Sequence, residues 1–163
     1  MPTTRRVLFV CLGNICRSPT AEGILRAELE RRGHHDRVEV DSAGTGGWHV
    51  GDAADPRMRR AASARGYDLT SRARQVTAED FQRFDLIVAM DRQNLADLEQ
   101  IAPPPAERRA DLRLFSSFLP YGGPEDVPDP YYGGPDGFDH VIDLIEEAAA
   151  AIADHLAGDG TVA

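Results

Sequence analysis

The residues best suited to chemistry lie close together near the start of the chain. Five residues separate Cys11 from Arg17, which Ser18 follows directly, and Gly13 lies inside the same segment. A thiolate is a strong nucleophile, and a guanidinium can hold two oxygens of a phosphate at once because its N–H donors form a planar fork. This spacing therefore predicts phosphoryl transfer through a covalent bond to sulfur.

The elements around this segment must turn the chain from a strand into a helix. Residues 6–11 form a short apolar run typical of a buried strand, and Ser18 followed by Pro19 is typical of a helix N-cap and first helical position. Such a turn can point backbone N–H groups at an anion, at the positive end of the helix dipole. We expect Gly13 to supply a backbone conformation closed to other residues, and the positive loop to keep Cys11 as a thiolate beneath a bound phosphoryl group.

The same residues also allow purely structural interpretations. Cys11 could be a small buried side chain that ends a strand, and Ser18 could be only a helix cap. In the chemical interpretation, Ser18 instead donates its hydroxyl to the thiolate or helps it leave. The combination with Arg17 and Gly13 favours that chemical interpretation. Two roles stay open for Cys16: inert packing, or a disulfide with Cys11 that protects the thiol from overoxidation.

Apolar periodicity alternates between strands and helices along the rest of the chain. Further strands are predicted over residues 38–42, 85–90 and 112–115. Helices are predicted from Ser18 to Gly33, from Asp55 to Gly66, and after the capping pair Thr77 and Asp80. A fourth helix is predicted after Asp91, with an apolar stripe of Leu95, Leu98 and Ile101. The buried face of a fifth helix is predicted to consist of Phe138, Val141, Ile142, Ile145, Ala149, Ile152 and Leu156. This alternation predicts a mostly parallel sheet with helices on both faces.

Ligands of such sheets bind beyond the carboxyl ends of the strands, where three long loops are predicted. These loops cover residues 12–18, 43–54 and 116–135. The last is about twenty residues long, more than a compact domain needs for a connection, which indicates a functional role. It contains Asp129 between two prolines, which would stiffen the loop around a carboxyl group able to protonate a leaving oxygen.

Length and composition limit the possible functions further. The 163 residues indicate one domain spanning 1–163, and the 18 basic residues are all arginine, which excludes lysine-dependent phosphate loops and Schiff-base catalysis. A net charge of −9 argues against nucleic-acid binding and, taken alone, against any anionic substrate. Two cysteines and no signal or membrane-spanning segment indicate a cytoplasmic protein without membrane partners, although export without a signal peptide stays open.

The segment VCLGNICRSP at residues 10–19 resembles the signature of the low-molecular-weight protein tyrosine phosphatases. The similarity continues in order through DSAGT at 41–45, Trp48, the strand at 85–91 and DPYY at 129–132. The resemblance implies an α/β three-layer sandwich with a four-stranded parallel sheet flanked by helices, a phosphate loop after the first strand, and no metal or cofactor. It also implies hydrolysis of phosphotyrosine in proteins and of small aryl phosphates.

The resemblance assigns roles residue by residue. It implies Cys11 as the nucleophile, Arg17 as the phosphate binder and Asp129 as general acid and then base. The residues expected to bind phosphate or support the loop are Leu12, Gly13, Asn14, Ile15, Cys16, Ser18 and Ser42. Asn14 and Ser42 would hold the loop by hydrogen bonds, although a simple turn role is an alternative for them.

Aromatic side chains on the predicted site loops would select the substrate. Trp48, Tyr131 and Tyr132 could stack on a phenyl ring, and His49 beside Trp48 is a candidate for the rim. The expected partners are therefore phosphotyrosine-containing proteins. By resemblance, a tyrosine kinase acting on Tyr131 or Tyr132 is a further candidate partner.

Three alternative functions stay in view. Protein arginine phosphatases resemble this pattern but carry Thr where this chain has Ile15, and they lack the paired aromatic residues. Thiol-dependent arsenate reductases use two further cysteines, whereas this chain has only Cys16 beyond Cys11. A non-catalytic phosphopeptide-binding module would not need Cys11, Arg17 and Asp129 together.

Overall fold

The structure is a computed structural model that describes residues 4–120, 126–131, 133–134 and 136–158. Within these ranges, strands and helices alternate along the chain as the periodicity predicts. The strands are β1 (Arg5–Cys11), β2 (Val38–Gly44), β3 (Leu86–Ala89) and β4 (Asp111–Leu114). The α-helices are α1 (Arg17–Arg32), α2 (Pro56–Ser63), α3 (Asp80–Arg83), α4 (Arg92–Ile101) and α5 (Asp136–Gly158), and short 3-10 helices cover Pro105–Glu107 and Phe115–Phe118.

The four strands form one parallel sheet in the order β2-β1-β3-β4. Since all strands run the same way, their carboxyl ends meet at one edge, where ligands of such sheets bind. Cys11 ends β1 and is the register partner of Gly44, which ends β2. The loops that follow β1 and β2 therefore start side by side.

Alternate residues of β1 pack into two hydrophobic cores, one on each face of the sheet. Val7 and Phe9 belong to the core shared with α1 and α5, whereas Leu8 and Val10 belong to the core that includes Phe81 of α3 and residues of α4. This division follows from the two-residue period of a strand. The predicted fold class, a parallel sheet flanked by helices, is confirmed.

The predicted ends of α1 are right at one terminus and wrong at the other. The helix begins at Arg17, directly after Cys16. Ser18 therefore lies inside the first turn, and the prediction that it is the N-cap is wrong. The Ser18 hydroxyl lies 3.0 Å from the Cys11 Sγ atom instead. Gly33 ends the helix as predicted, with the left-handed φ of 72° that glycine adopts without steric cost.

Two other predicted caps are confirmed. Asp55 accepts a hydrogen bond from the Arg57 N–H at 2.8 Å and begins α2, with Pro56 as its first residue. Asp91 accepts one from the Asn94 N–H at 2.7 Å and begins α4. Each helix begins at its aspartate because this short polar side chain satisfies a free N–H group of the first turn.

The buried stripes of the later helices are confirmed with one exception. The predicted residues of α5 from Phe138 to Leu156 are all buried. In α4, Leu98 is buried and Leu95 packs against the same core, but Ile101 at the end of the helix is 42% exposed. Ile101 is therefore a surface residue, contrary to the predicted stripe.

Backbone hydrogen bonds hold the predicted loops at the carboxyl edge of the sheet. The Thr45 N–H donates to the Cys11 carbonyl at 2.9 Å, which ties the loop after β2 to the end of β1. The Val127 N–H donates to the Met90 carbonyl at 2.9 Å and brings residues 126–131 to the end of β3. No helix in the described part of the chain is both long and apolar enough to cross a membrane.

We expect Asp55→Ala to lower the free energy of unfolding by about 1 kcal/mol, because α2 loses the side chain that caps it. The ion pair with Arg57 is partly exposed and adds little. Urea unfolding followed by circular dichroism measures the change. Asp55→Asn is the matched control, since its amide oxygen accepts the same bond; an equal loss in both variants would contradict the capping role.

Candidate active site

Residues 12–16 connect β1 to α1 and fold around the Cys11 sulfur. The Asn14 N–H donates to the Cys11 Sγ atom at 3.3 Å, and the Ser18 Oγ atom lies 3.0 Å from the same sulfur. Cys11 is only 2% exposed. Hydrogen-bond donors thus approach a nearly buried sulfur from the loop and from the first turn of the helix.

The left-handed residue of this loop is Asn14 (φ 59°), not Gly13. The prediction that Gly13 supplies a special backbone conformation is therefore wrong. Asparagine is among the few residues that enter this region readily, because its short side chain bonds locally. Gly13 instead permits a close approach, since a Cβ atom there would lie 3.1 Å from the His49 Cδ2 atom.

The Asn14 side chain connects the loop to its surroundings. Its Nδ2 group donates to the Ser18 Oγ atom at 2.8 Å and to the Ser42 Oγ atom at 3.0 Å. Its Oδ1 atom accepts from the Arg74 N–H at 2.9 Å. All polar groups of this buried amide are therefore in use, as a buried side chain of this type requires.

These bonds direct the protons of both serines. The Ser42 hydroxyl donates to the Glu22 Oε1 atom at 2.6 Å while accepting from Asn14. Ser18 also accepts from Asn14, so its own proton points to the Cys11 sulfur or to the Ala43 carbonyl, 3.3 Å away. Negative charge on the sulfur favours the first choice, because a charge-assisted hydrogen bond is the stronger one.

Arg17 is buried beside this sulfur and held by charged and polar partners. Its Nη1 group donates to the Asp91 Oδ2 atom at 2.5 Å and to the Val127 carbonyl at 3.1 Å, and its Nη2 group lies 3.5 Å from the Asp129 Oδ2 atom. Burial alone lowers the pKa of Arg17, but the negative charge of Cys11 and the hydrogen bond to Asp91 outweigh burial and raise it. The guanidinium therefore stays charged and fixed in orientation.

Asp129 lies on the segment that follows β4. Its Oδ1 atom accepts from the Tyr131 N–H at 3.0 Å, and its side chain is 36% exposed. Pro130, which follows it, is buried. The carboxyl group is thus partly open to solvent and held from two sides, by the Tyr131 backbone and by Arg17.

These groups surround a cavity of about 320 Å³, called the Cys11 cavity here. Its lining residues are Cys11, Leu12, Gly13, Ile15, Cys16, Arg17, Trp48, His49, Asp129 and Tyr131. Trp48 and Tyr131, which were predicted for the aromatic wall, and His49, which was a candidate for the rim, all line this cavity, whereas the predicted Tyr132 lies outside the described residues. Asn14, Ser18 and Ser42 lie behind the lining and support it through hydrogen bonds.

The family model described as low molecular weight phosphotyrosine protein phosphatase matches residues 6–162 of the chain. The chain belongs to this family. The predicted resemblance is confirmed, and so is the enzyme class, protein-tyrosine-phosphatase.

Individual relatives agree with this assignment. A low molecular weight protein-tyrosine-phosphatase of Streptomyces coelicolor is 48% identical to this chain over 151 aligned residues. The alignment covers 91% of this chain and 92% of the relative. The crystal structure of an Entamoeba histolytica protein tyrosine phosphatase with Hepes in the active site superposes with a TM-score of 0.90 at 38% identity, covering 96% and 99% of the two chains. A Drosophila arginine phosphatase superposes with a TM-score of 0.85 at 35% identity, covering 91% and 96%.

Sequence reasoning missed two acidic residues that support the site of this phosphatase. Asp91 was predicted only as a helix cap, yet it also pairs with Arg17. Its position directly after a central parallel strand was the available signal, because such residues reach the ligand edge. Glu22 follows Ser18 by four residues, so both lie on one face of α1, and burial raises the pKa of Glu22 although Ser42 and Arg26 lower it.

Arg57 was also missed. It donates to the Tyr131 carbonyl at 3.2 Å, and its guanidinium carbon lies 5.2 Å from the centre of the Tyr131 ring. These contacts tie α2 to the segment that holds Asp129. Nothing in the local sequence indicates the pairing, since 74 residues separate the two partners.

Cys16 is a free, buried thiol in the segment between β1 and α1. Burial, followed by the negative charge of Asp55, raises its pKa well above the ordinary thiol range. Its disulfide with Cys11 stays a prediction. Among the described residues, no group of three or more His, Cys, Asp or Glu side chains is arranged to hold a metal ion.

We expect Asn14→Ala to lower the free energy of unfolding by about 2–4 kcal/mol, because it combines left-handed strain with the loss of buried hydrogen bonds. Asn14→Gly loses the same bonds but adopts the same φ freely. Its loss should therefore be smaller by roughly 1 kcal/mol. Urea unfolding measures both values, and equal losses would show that the backbone at position 14 is not strained.

We expect iodoacetate at pH 7 to leave Cys16 unmodified in the folded protein, because its raised pKa keeps the buried thiol protonated. Peptide mass mapping after timed exposure measures the modification. In urea, Cys16 should become reactive. The folded Cys11→Ser variant is the control and should take up no label; labelling of its Cys16 at the unfolded rate would contradict the expectation.

Proposed function

We propose that this phosphatase hydrolyses phosphotyrosine in proteins, and small aryl phosphates, through a phosphate ester of the Cys11 sulfur. The observation that carries the proposal is the arrangement of the Cys11 cavity. A nearly buried sulfur lies within hydrogen-bond distance of a backbone N–H and a hydroxyl, and Arg17 and Asp129 line the same cavity. Nucleophile, anion binder and proton donor are thus within one small volume.

In the first step, the Cys11 thiolate attacks phosphorus and a sulfur–phosphorus bond forms. The bond between phosphorus and the tyrosine oxygen breaks, and the Asp129 carboxylic acid gives its proton to that oxygen. Arg17 binds two oxygens of the phosphoryl group, and loop N–H groups at the start of α1 bind the others. Because Asp91 and Val127 already hold Arg17, little ordering is needed during the reaction.

In the second step, the Asp129 carboxylate takes a proton from water, and the water oxygen attacks phosphorus. The sulfur–phosphorus bond breaks, releasing inorganic phosphate and the Cys11 thiolate. The Ser18 hydroxyl and the Asn14 N–H stabilise the departing thiolate, because both lie within hydrogen-bond distance of the sulfur. No oxidant or reductant is required in either step.

The lining of the Cys11 cavity favours an aromatic ester. Trp48 and Tyr131 provide flat apolar surfaces, while the sulfur lies at the buried end of the cavity. A phenyl ring can span this depth and stack on the walls, whereas the shorter side chain of phosphoserine places its phosphate nearer the peptide backbone. The proposed partners are therefore phosphotyrosine proteins.

Protein arginine phosphatase is the second candidate, because the chain superposes well on the Drosophila arginine phosphatase. Ile15 lines the Cys11 cavity at the position where arginine phosphatases carry Thr by the resemblance described above. An apolar side chain cannot bond to the guanidinium of phosphoarginine, and it packs well against a phenyl ring. Ile15 therefore favours phosphotyrosine over phosphoarginine.

The proposal includes a cytoplasmic location.

It also includes a further partner, a tyrosine kinase that acts on Tyr131 or Tyr132. Tyr131 is partly buried and its ring faces the Arg57 guanidinium. A phosphate added to Tyr131 would bring negative charge close to that cation. Peptide mapping after treatment with a tyrosine kinase would test this, and an unmodified Tyr131 and Tyr132 would reject it.

We expect Cys11→Ser to abolish hydrolysis of p-nitrophenyl phosphate, since the alcohol is not ionised at neutral pH. Asp129→Asn should lower kcat by about 10²–10⁴-fold for poor leaving groups and by much less for good ones. Steady-state rates across a series of aryl phosphates measure this dependence. Asp126→Asn, which alters an exposed pair with Arg92 in the same segment, is the matched control.

The two candidate functions are separated by comparing kcat/KM for peptides with phosphotyrosine, phosphoserine and phosphoarginine, with arsenate reduction measured alongside. The phosphotyrosine peptide should be the preferred substrate, and Ile15→Thr should shift the preference toward phosphoarginine. Preference of the unaltered protein for phosphoarginine would favour the second candidate. Aryl phosphatase activity that survives Cys11→Ser would contradict the cysteine mechanism.

A further inference from the structure

The exposed apolar surface in the described part of the protein is concentrated beside the Cys11 cavity. The large hydrophobic side chains exposed there are Leu12, Trp48, Val50 and Ile101. Three of them lie on different segments of the chain: the loop after β1, the loop after β2 and the end of α4. Leu12, Trp48 and Ile101 converge on one site, and clustered exposed apolar residues of this kind mark contact surfaces.

These three side chains line a second cavity of about 270 Å³, called the Ile101 cavity here. Leu12 and Trp48 line both this cavity and the Cys11 cavity, so they form a wall between the two. Val76 adds a further apolar surface, and Asp97 lies at the polar side. The Ile101 cavity therefore adjoins the proposed active site and is apolar on the shared side.

The wall between the two cavities is held in place by the backbone. The Gly46 N–H donates to the Leu12 carbonyl at 2.9 Å, which ties the two loops together. A Cβ atom on Gly46 would lie 1.9 Å from the Trp48 Cζ3 atom, so the indole ring packs directly against this glycine. Although Trp48 is 74% exposed, one face of its ring is thus fixed, and only a glycine leaves room for it.

The chemistry of the Ile101 cavity differs from that of the Cys11 cavity. None of its lining residues is basic, and Asp97 is an acidic one. The Asp97 Oδ1 atom accepts a hydrogen bond from the Gln93 side chain at 2.9 Å. A second phosphate or an acidic side chain is therefore disfavoured there. An apolar side chain would be desolvated against Leu12, Trp48 and Ile101, which is favourable in proportion to the area buried.

We propose that the Ile101 cavity is a substrate subsite that binds a large apolar side chain close in sequence to the phosphotyrosine. This inference rests on the proposed function. An extended peptide advances ~3.3 Å per residue, so a neighbouring side chain one or two positions away reaches a cavity that shares a wall with the first. The preferred substrates thus carry Leu, Ile, Met or Phe beside phosphotyrosine and no acidic residue at that position.

The test compares phosphotyrosine peptides in which each flanking position carries Leu, Phe, Ala, Ser or Glu in turn. At one flanking position, kcat/KM for Leu or Phe should exceed that for Ala by about tenfold, with Glu lowest. Ile101→Ser should remove this preference while leaving p-nitrophenyl phosphate hydrolysis unchanged. Val50→Ser is the matched control, because Val50 is also an exposed β-branched apolar residue but lines neither cavity, and it should keep the preference.

Binding can be measured apart from turnover. Trp48 is the only tryptophan in the chain, so its fluorescence reports occupancy of either cavity. In the Cys11→Ser background, a peptide with Leu at the preferred position should bind more tightly than its Ala counterpart by about the same factor. Adding Ile101→Ser should make the two peptides bind equally.

Each outcome separates the subsite from the proposed function. Equal kcat/KM for Leu, Ala and Glu at every flanking position, or a preference that survives Ile101→Ser, would overturn the subsite while phosphotyrosine hydrolysis stands. Failure to hydrolyse any aryl phosphate would reject the proposed function itself. A dimer in sedimentation that Ile101→Ser converts to monomer would assign the cavity to a second copy of the chain and overturn the proposal.

Discussion

A guanidinium buried at the carboxyl edge of a sheet must find negative or polar partners, and Arg17 finds them on several segments at once. Asp91 follows β3, while the Val127 carbonyl and Asp129 belong to the segment that returns after β4. An unpaired buried charge would cost several kcal/mol, so these segments have to meet at this point. The same requirement brings Arg17 and Asp129 to the cavity that Cys11 also lines.

Local charge, rather than net charge, decides what this site can bind. The chain carries a net charge of −9, and that value alone argues against an anionic substrate. Net charge governs solubility and long-range steering, whereas a few oriented donors in a small buried volume decide binding. In the proposed function, Arg17, the loop N–H groups and the start of α1 provide these donors. Leu12 and Trp48 separate the Cys11 cavity, which contains these donors, from the neighbouring Ile101 cavity, which no basic residue lines.

Much of the fold and the site could be predicted because their signals are local. Alternating apolar runs indicate the parallel sheet, and Asp55 and Asp91 cap their helices as expected. Two local predictions, that Ser18 caps α1 and that Gly13 takes a special backbone conformation, failed for one reason. The loop satisfies its donors around the Cys11 sulfur, so Ser18 turns inward, and Asn14 takes the left-handed conformation because its amide has partners that glycine could not use.

By itself, the sequence determined the chemistry available to this protein: a cysteine, an arginine and a serine at the turn from a strand into a helix, within a recognisable family. Only the tertiary structure decided which residues support that chemistry. Asp91 pairs with Arg17 although 74 positions separate them in the sequence. Ile101, which was predicted to be buried, is exposed and lines a second cavity. The spacing of neighbouring residues can be taken directly from the sequence. Contacts between loops depend instead on the order of the strands in the sheet, because that order brings distant segments to one edge.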